Sequence, residues 1–180
     1  LNIWRKSKMR MQFLASLIND RKLTIGYELG VESGDTFGYI LGNCPSITEW
    51  HGVDMWGKNP PGYKRHYAGE SYFNTVKNIA SNHPNRAIIH RMSTDEACLT
   101  VEDESLDIVF IDADHSYEGV HNDILKWLPK VKSGGIISGH DYGLNPAGVN
   151  RFPGVDRAVH ELLGEENIKT GPDLVWWTEK

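Results

Sequence analysis

Three acids and two imidazoles stand where apolar runs of this chain break off. The segment FIDADHSYEG (110–119) leaves one such run and meets Asp112, Asp114 and His115 at once, and GHDY (139–142) leaves another and meets His140 and Asp141. Crowded carboxylates repel, and burying them is costly unless a cation, a donor or water compensates. The two exits therefore read either as solvated loops or as a place where something positive binds. Two carboxylates with an imidazole suit a divalent cation, with Asp112, His140 and Asp141 as candidate ligands. The oxygens favour Mg2+, and the imidazole tilts the choice toward Mn2+. On the other reading, the same exit only shapes a substrate pocket. His115, with an ordinary pKa of about 6.5, is a candidate general base. Asp112 and Asp141 complete the candidate catalytic group.

A second constellation lies at YELGVESGDT (27–36), with Glu28, Gly30, Ser33 and Gly34. Glycines permit a tight turn, and a following helix offers its positive N-terminal end to a carboxylate or phosphate. A strand-to-helix turn with no ligand would look much the same. The pattern is E-x-G-x-x-x-G, not the G-x-G-x-x-G of a dinucleotide turn, and a charge at Glu28 would repel a pyrophosphate but welcome an ammonium or sulfonium. Asp54, closing the next apolar stretch, is placed to accept hydrogen bonds from ribose hydroxyls. A ligand with a ribose, a carboxylate and a positive charge suits these acids better than NAD does.

Alternating strands and helices position these motifs. Residues 3–20, within a leading segment 1–22, predict a helix with Met9, Phe13, Leu14, Leu17 and Ile18 on one face, able to pack on its own domain or on a second copy. Strands are expected at 23–30, 49–56, 86–92, 106–113 and 134–142, and helices at 35–44, 70–82, 94–101, 116–131 and 153–164. The run LDIVFIDA (106–113) is nearly unbroken, as in a strand covered on both faces. The tail offers two more strand candidates, NIKTG (167–171) and DLVWWTE (173–179), where Trp176 and Trp177 serve packing. Such alternation implies right-handed βαβ units and an α/β fold, a doubly wound, mostly parallel sheet. One domain over residues 1–180 is the expectation from length. Two irregular stretches, 57–69 and 143–152, are the expected active-site loops, since loops at strand exits carry function. Lys58, Tyr63, Lys64, Arg65, His66 and Tyr67 in the first would suit a sugar, a phosphate or an anionic aglycone, although a solvated lid explains them too. Glu118 and Asp123 are expected on a solvated helix face. His51, His83, His90, His121 and His160 default to surface or core.

The composition narrows the partners. A net charge of −5 argues against a broad nucleic-acid interface, and the basic cluster Arg5, Lys6, Lys8 and Arg10 reads as a solvated helix face. No apolar run approaches the roughly 20 residues that span a bilayer. Cys44 and Cys98, the only two cysteines, have no metal-type spacing and point to a reducing, cytoplasmic compartment. Opening on Leu1, not Met, points to a missing upstream piece. The expected partner is a small-molecule substrate, with no nucleic acid and no membrane; self-association is left open.

From about residue 23 to 180 the chain resembles the class I S-adenosylmethionine-dependent methyltransferases. The matching pieces are ELGVESG, Asp54 in GVDMW, RMSTDEA (91–97), FIDADHSYEGVHNDILKWLPKVKSGG (110–135) and GHDY…PGV. The last two resemble small-molecule O-methyltransferases, sugar-modifying ones included. The resemblance implies S-adenosylmethionine as cofactor, a seven-stranded sheet, and a C-terminal antiparallel hairpin from the last two strands. Glu28 and Gly30 would border the methionine end, with Ser33 and Gly34 in the same turn, and Asp54 would take the ribose. Met55 and the Ser93–Thr94 turn would flank adenine. Strand four would stand beside strand one, bringing Asp112 and Asp114 to the same cofactor. Metal-dependent relatives carry acids at the positions of Asp112 and Asp141, but here His140 and Tyr142 flank the second, which puts metal use in question. Competing readings are an NAD-type dehydrogenase, disfavoured by the missing third glycine and by Glu28, and a non-catalytic module on the same fold. A methyltransferase acting on nucleic-acid bases is disfavoured by the negative charge and the absence of an N/D-P-P-Y/F exit after strand four.

Overall fold

The computed structural model describes residues 3–57 and 69–180, with side chains from Lys8 onward. Its strands are β1 (Ile25–Leu29), β2 (Glu49–Val53), β3 (Ala87–His90), β4 (Leu106–Ile111), β5 (Val131–Gly139), β6 (Lys169–Thr170) and β7 (Trp176–Glu179). Among the described residues they form a seven-stranded sheet in the order β3-β2-β1-β4-β5-β7-β6. The first five strands pair in parallel, whereas β7 runs antiparallel to both β5 and β6. The expected fold class and terminal hairpin are both present.

Two-faced burial explains the apolar strands. In β4, Ile108 and Phe110 enter one core with Leu14, Ile18, Phe37, Ile40 and Trp50, while Val109 and Ile111 enter the other with Val120, Ile124, Val155 and Val159. Helices α1 (Ile3–Arg21), α2 (Asp35–Asn43) and α3 (Gly69–Ser81) supply the first core. The second is supplied by α4 (Thr94–Cys98), α5 (Tyr117–Trp127) and α6 (Pro153–Leu163). Helix α1 thus packs on its own domain through Leu14, Ala15, Leu17 and Ile18. Its expected core member Met9 lies outside that contact and is 49% exposed.

Several boundaries differ from expectation. Helix α5 stops at Trp127 because Pro129 lacks the N–H that an α-turn needs, and a 3-10 turn over Leu128–Lys130 leads directly into a longer β5. The tail strand expected at 167–171 shortens to two residues, since Asn167 belongs to a 3-10 turn and Gly171 begins the bend toward β7. The loop expected at 57–69, with its basic and aromatic residues, falls almost wholly outside the described residues. No described helix is long and apolar enough to cross a membrane.

Candidate active site

Backbone hydrogen bonds run past the strand ends and set their tips in a row. Gly30 donates to Val53 O at 2.9 Å, Asp54 to His90 O at 3.2 Å, Asp112 to Leu29 O at 2.8 Å and His140 to Ile111 O at 3.1 Å. The residues leaving β1, β2, β4 and β5 therefore emerge side by side at the carboxyl edge, where open α/β sheets bind ligands. A cavity of about 740 Å3 opens there. Glu28, Gly30, Ser33, Asp54, Met55, Ser93, Thr94, Asp112, Asp114 and His115 all line it. Gly34 instead caps α2, and His140, which contacts Asp112, and Asp141, joined to it through His115 and His140, do not line the cavity. The turn after β1 is forced to be glycine. Gly30 has φ 87°, and a Cβ on it would come within 2.1 Å of Asp112 O.

Glu28 is 2% exposed on the cavity wall and accepts a bond from Trp50 Nε1 at 3.2 Å. Burial pushes its carboxyl up to about 8, against the Trp50 bond and with help from the nearby charge of Asp112. At neutral pH this residue is mainly a neutral acid, not the standing negative charge expected from the sequence. Asp54 is oriented by its own backbone surroundings: Oδ2 accepts from Glu32 N at 2.9 Å and Oδ1 from Trp56 N at 2.8 Å.

The far end is built by α4 and α5. Ser93 caps α4 in a capping box with Glu96, and Thr94 Oγ1 donates to Asp123 Oδ1 at 2.7 Å. Asp123 corrects the sequence expectation: it is 3% exposed, lines the cavity, and is no part of a solvated face. Burial raises its carboxyl to about 7, opposed by the Thr94 bond. Glu118 is exposed as expected.

At the near end a tight ionic cluster joins the two exits. His115 Nε2 lies 3.1 Å from Asp112 Oδ1 and 2.9 Å from Asp141 Oδ2, and His140 Nδ1 is 3.5 and 3.4 Å from the same two oxygens. Arg10 reaches in from α1 and pairs with Asp112 Oδ2 at 3.1 Å. This overturns the solvated-face expectation for Arg10, whose Nε is buried without a hydrogen-bond partner. Burial alone would lower His115, but its bonds to Asp112 and Asp141 outweigh that and raise it to about 9. His140 is raised and both carboxylates are held low, burial being outweighed by the opposite charges. Phe152 packs on the His115 ring, centroids 4.7 Å apart, a contact that sequence spacing did not reveal. Asp141 sits at φ 61°, in the left-handed region that Asp tolerates better than most residues.

Other histidines also find partners. His51 Nδ1 meets His90 Nε2 at 2.9 Å beneath Tyr27, and Tyr142 bonds His160 at 2.6 Å. The metal set expected as Asp112, His140 and Asp141 gathers somewhat differently. Asp112, His115 and Asp141 offer ligand atoms that all lie within 4.8 Å of one another.

A protein-family model described as a methyltransferase domain matches residues 27–142, the span from β1 to the exit of β5. The chain belongs to this family. Its members are class I S-adenosylmethionine-dependent methyltransferases, and this chain carries acids at the strand tips that face the cavity. Among curated proteins, the uncharacterized protein y4gI of Sinorhizobium fredii (strain NBRC 101917 / NGR234) is 28% identical over 121 residues, covering 63% of this chain and 12% of that protein. The chain thus spans about an eighth of the length of that relative. Among solved structures, an O-methyltransferase from Bacillus cereus in complex with SAH superposes with a TM-score of 0.67 at 16% identity, over 95% of this chain and 80% of that one. CalS11, a TDP-rhamnose 3′-O-methyltransferase of calicheamicin biosynthesis, gives 0.63 at 18% identity over 99% and 81%. At such identities these likenesses speak for the fold alone.

The site fits the cofactor of this family. One cavity brings together an ionisable carboxyl at Glu28, an acceptor at Asp54 and the buried, unpartnered Nε of Arg10.

Proposed function

We propose that this methyltransferase transfers a methyl group from S-adenosylmethionine to a hydroxyl of a small molecule, with His115 as general base. The observation that carries the reading is the row of strand tips, which sets the Glu28–Gly30 turn, Asp54 and the Asp112–His115–Asp141 cluster around one cavity. Bound S-adenosylmethionine supplies an electrophilic methyl on a sulfonium. The chain itself aligns and deprotonates. Asp54 accepts from ribose hydroxyls, Glu28 faces the positive end, and Met55, Ser93, Thr94 and Asp114 enclose the base. Ser33 and Gly34 bring the N-terminus of α2 toward the carboxylate. Alignment of the attacking oxygen can supply roughly 7–11 kcal/mol, and a positioned base a further 10²–10⁴-fold.

His115 lines the cavity, and with its Nε2–H turned to the two carboxylates it would take the hydroxyl proton at Nδ1. Asp112 and Asp141 hold that ring from two sides and stabilise its cationic form. Since the ring titrates at about 9, its capacity to accept a proton grows as the pH rises toward that value. A sugar hydroxyl is the favoured acceptor: the calicheamicin enzyme of the same fold acts on a TDP-sugar. The loops 57–69 and 143–152 are its proposed contacts, within one domain over residues 1–180.

Metal assistance is the second reading, favoured by the 4.8 Å cluster of Asp112, His115 and Asp141. Those residues would hold Mg2+ or Mn2+, with His140 beside them, and the ion would acidify the acceptor hydroxyl. The test is transfer of labelled methyl from S-adenosylmethionine to a panel of nucleotide sugars and phenols, with and without EDTA. Absence of both cofactor binding and transfer overturns the methyl-transfer reading, and loss of activity in EDTA replaces the base with the metal.

A further inference from the structure

Helix α6 holds the loop that leaves β5 at both of its stems. Asp156 Oδ1 accepts from Gly143 N at 2.8 Å where the loop starts, and Oδ2 accepts from Asn150 Nδ2 at 2.8 Å where it ends. Asn150 passes the restraint on, because its Oδ1 accepts from Phe152 N at 3.0 Å. Between the stems the tip closes on itself: Asn145 N donates to Val149 O at 3.0 Å, and Asn145 Oδ1 accepts from Ala147 N and Val149 N. The helix is a firm anchor. A Cβ on Gly154 would come within 2.6 Å of Tyr117 N, so the start of α6 lies directly against the start of α5, just past His115. Tyr142 is tied to the same helix through His160 at 2.6 Å.

We propose that Asp156 and Phe152 are positioning residues for His115: the carboxylate staples the loop so that the Phe152 ring fixes the direction of the imidazole. This rests on the reading of His115 as general base. Asp112 and Asp141 both meet one atom of the imidazole, Nε2, and so fix a point rather than a plane. About that point the ring can still swing, and its proton-accepting nitrogen swings with it. Phe152 supplies the second restraint, its ring centroid 4.7 Å from that of His115 and the planes inclined by 31°. A base has to lie within hydrogen-bond reach of the hydroxyl, and a misplacement of about 1 Å costs on the order of 10²-fold. Asp156 itself does not line the cavity, so its effect on turnover runs through the loop.

Spectra of 13C-labelled histidine rings report the contact directly, since Phe152 shifts the His115 ring protons by its ring current, and His115→Ala assigns the signal. Turnover is followed with the nucleotide sugar or phenol that takes labelled methyl fastest in the panel above. Asp156→Ala should move the His115 signal to its place in Phe152→Ala. It should also lower kcat by about tenfold or more, with S-adenosylhomocysteine still bound within about threefold of the natural affinity. Asn150→Asp combined with Asp156→Asn reverses donor and acceptor across one bond and keeps the bonds to Gly143 N and Phe152 N, so it should restore both signal and kcat. Phe152→Ala made in His115→Ala should cost nothing further. An unmoved signal in Asp156→Ala overturns the proposal, and so does a moved signal with unchanged kcat. A Phe152→Ala loss that persists in full without His115 overturns it too, because Phe152 would then act elsewhere. If His115→Ala lowers turnover and the Asp156 and Phe152 variants do not, the base stands and this inference alone falls. Undiminished turnover in His115→Ala removes the base, and this inference with it.

Discussion

A cation entering the cavity has to draw a proton out of Glu28. The carboxyl titrates at about 8 because it is buried, so roughly nine-tenths of the molecules hold that proton at pH 7. On the proposed reading, pairing with the ammonium or sulfonium of S-adenosylmethionine uses the carboxylate, and ionising it at pH 7 costs on the order of 1 kcal/mol. Two consequences follow from the same number. Binding at pH 7 should expel close to one proton from Glu28, and the apparent affinity should rise about tenfold between pH 7 and pH 9. Calorimetry in two buffers of different ionisation enthalpy counts the protons. Other groups on the cavity wall can exchange protons on binding, so the quantity to read is the difference between the natural chain and Glu28→Gln. A difference near one proton supports the reasoning. Equal proton release from both chains would refute it, since Glu28 would then stay neutral beside the ligand.

The same carboxyl makes stability depend on pH in a defined direction. Its folded pKa of about 8 lies above the ordinary 4.5, so the folded state holds the proton more tightly and stability declines as pH climbs from 4.5 to 8. At pH 7 the loss amounts to about 3 kcal/mol, and Glu28→Gln should remove it, raising the urea midpoint at pH 7 far more than at pH 4.5. His115→Ala should lower turnover by about 10²-fold or more while S-adenosylhomocysteine still binds within about threefold of the natural affinity, about 0.7 kcal/mol. Undiminished turnover in that variant would remove the base.

The strand–helix alternation and most of the tips were legible because they are encoded locally, whereas the place of strand four beside strand one came from the family resemblance. An unbroken run such as LDIVFIDA has to be covered on two sides, and the first, second, fourth and fifth runs meet an acid or a glycine at their ends, which marks the carboxyl edge without any long-range contact. Three features were hidden for a common reason. Arg10 looked like one of four bases on a solvated helix, Asp123 like a polar residue on the outer face of α5, and Phe152 drew no reading of its own within the expected loop 143–152. Each acts across 29 or more residues of chain: Arg10 on Asp112, Asp123 on Thr94 by way of the α4–α5 contact, and Phe152 on His115. Periodicity reports which face of a helix is apolar. It does not report that a single polar residue on the boundary of that face meets a cavity.

The acids of this site divide into two kinds, which changes what the cavity offers a ligand. Asp112 and Asp141 keep their charge because Arg10, His115 and His140 surround them, so their negative field is largely cancelled from within. For Glu28 and Asp123 burial outweighs the weaker pull of Arg10 and Lys126 respectively and raises the carboxyls toward neutral pH. The expectation from sequence was a uniformly negative nook waiting for a cation. What the fold builds is a wall on which one pair of acids is offset by cations and the other is biased by burial toward its protonated form. On the proposed reading, a ligand that sets a positive centre beside Glu28 has to displace a proton as well as fit the cavity, so selectivity would arise from the titration of the wall as well as from its shape.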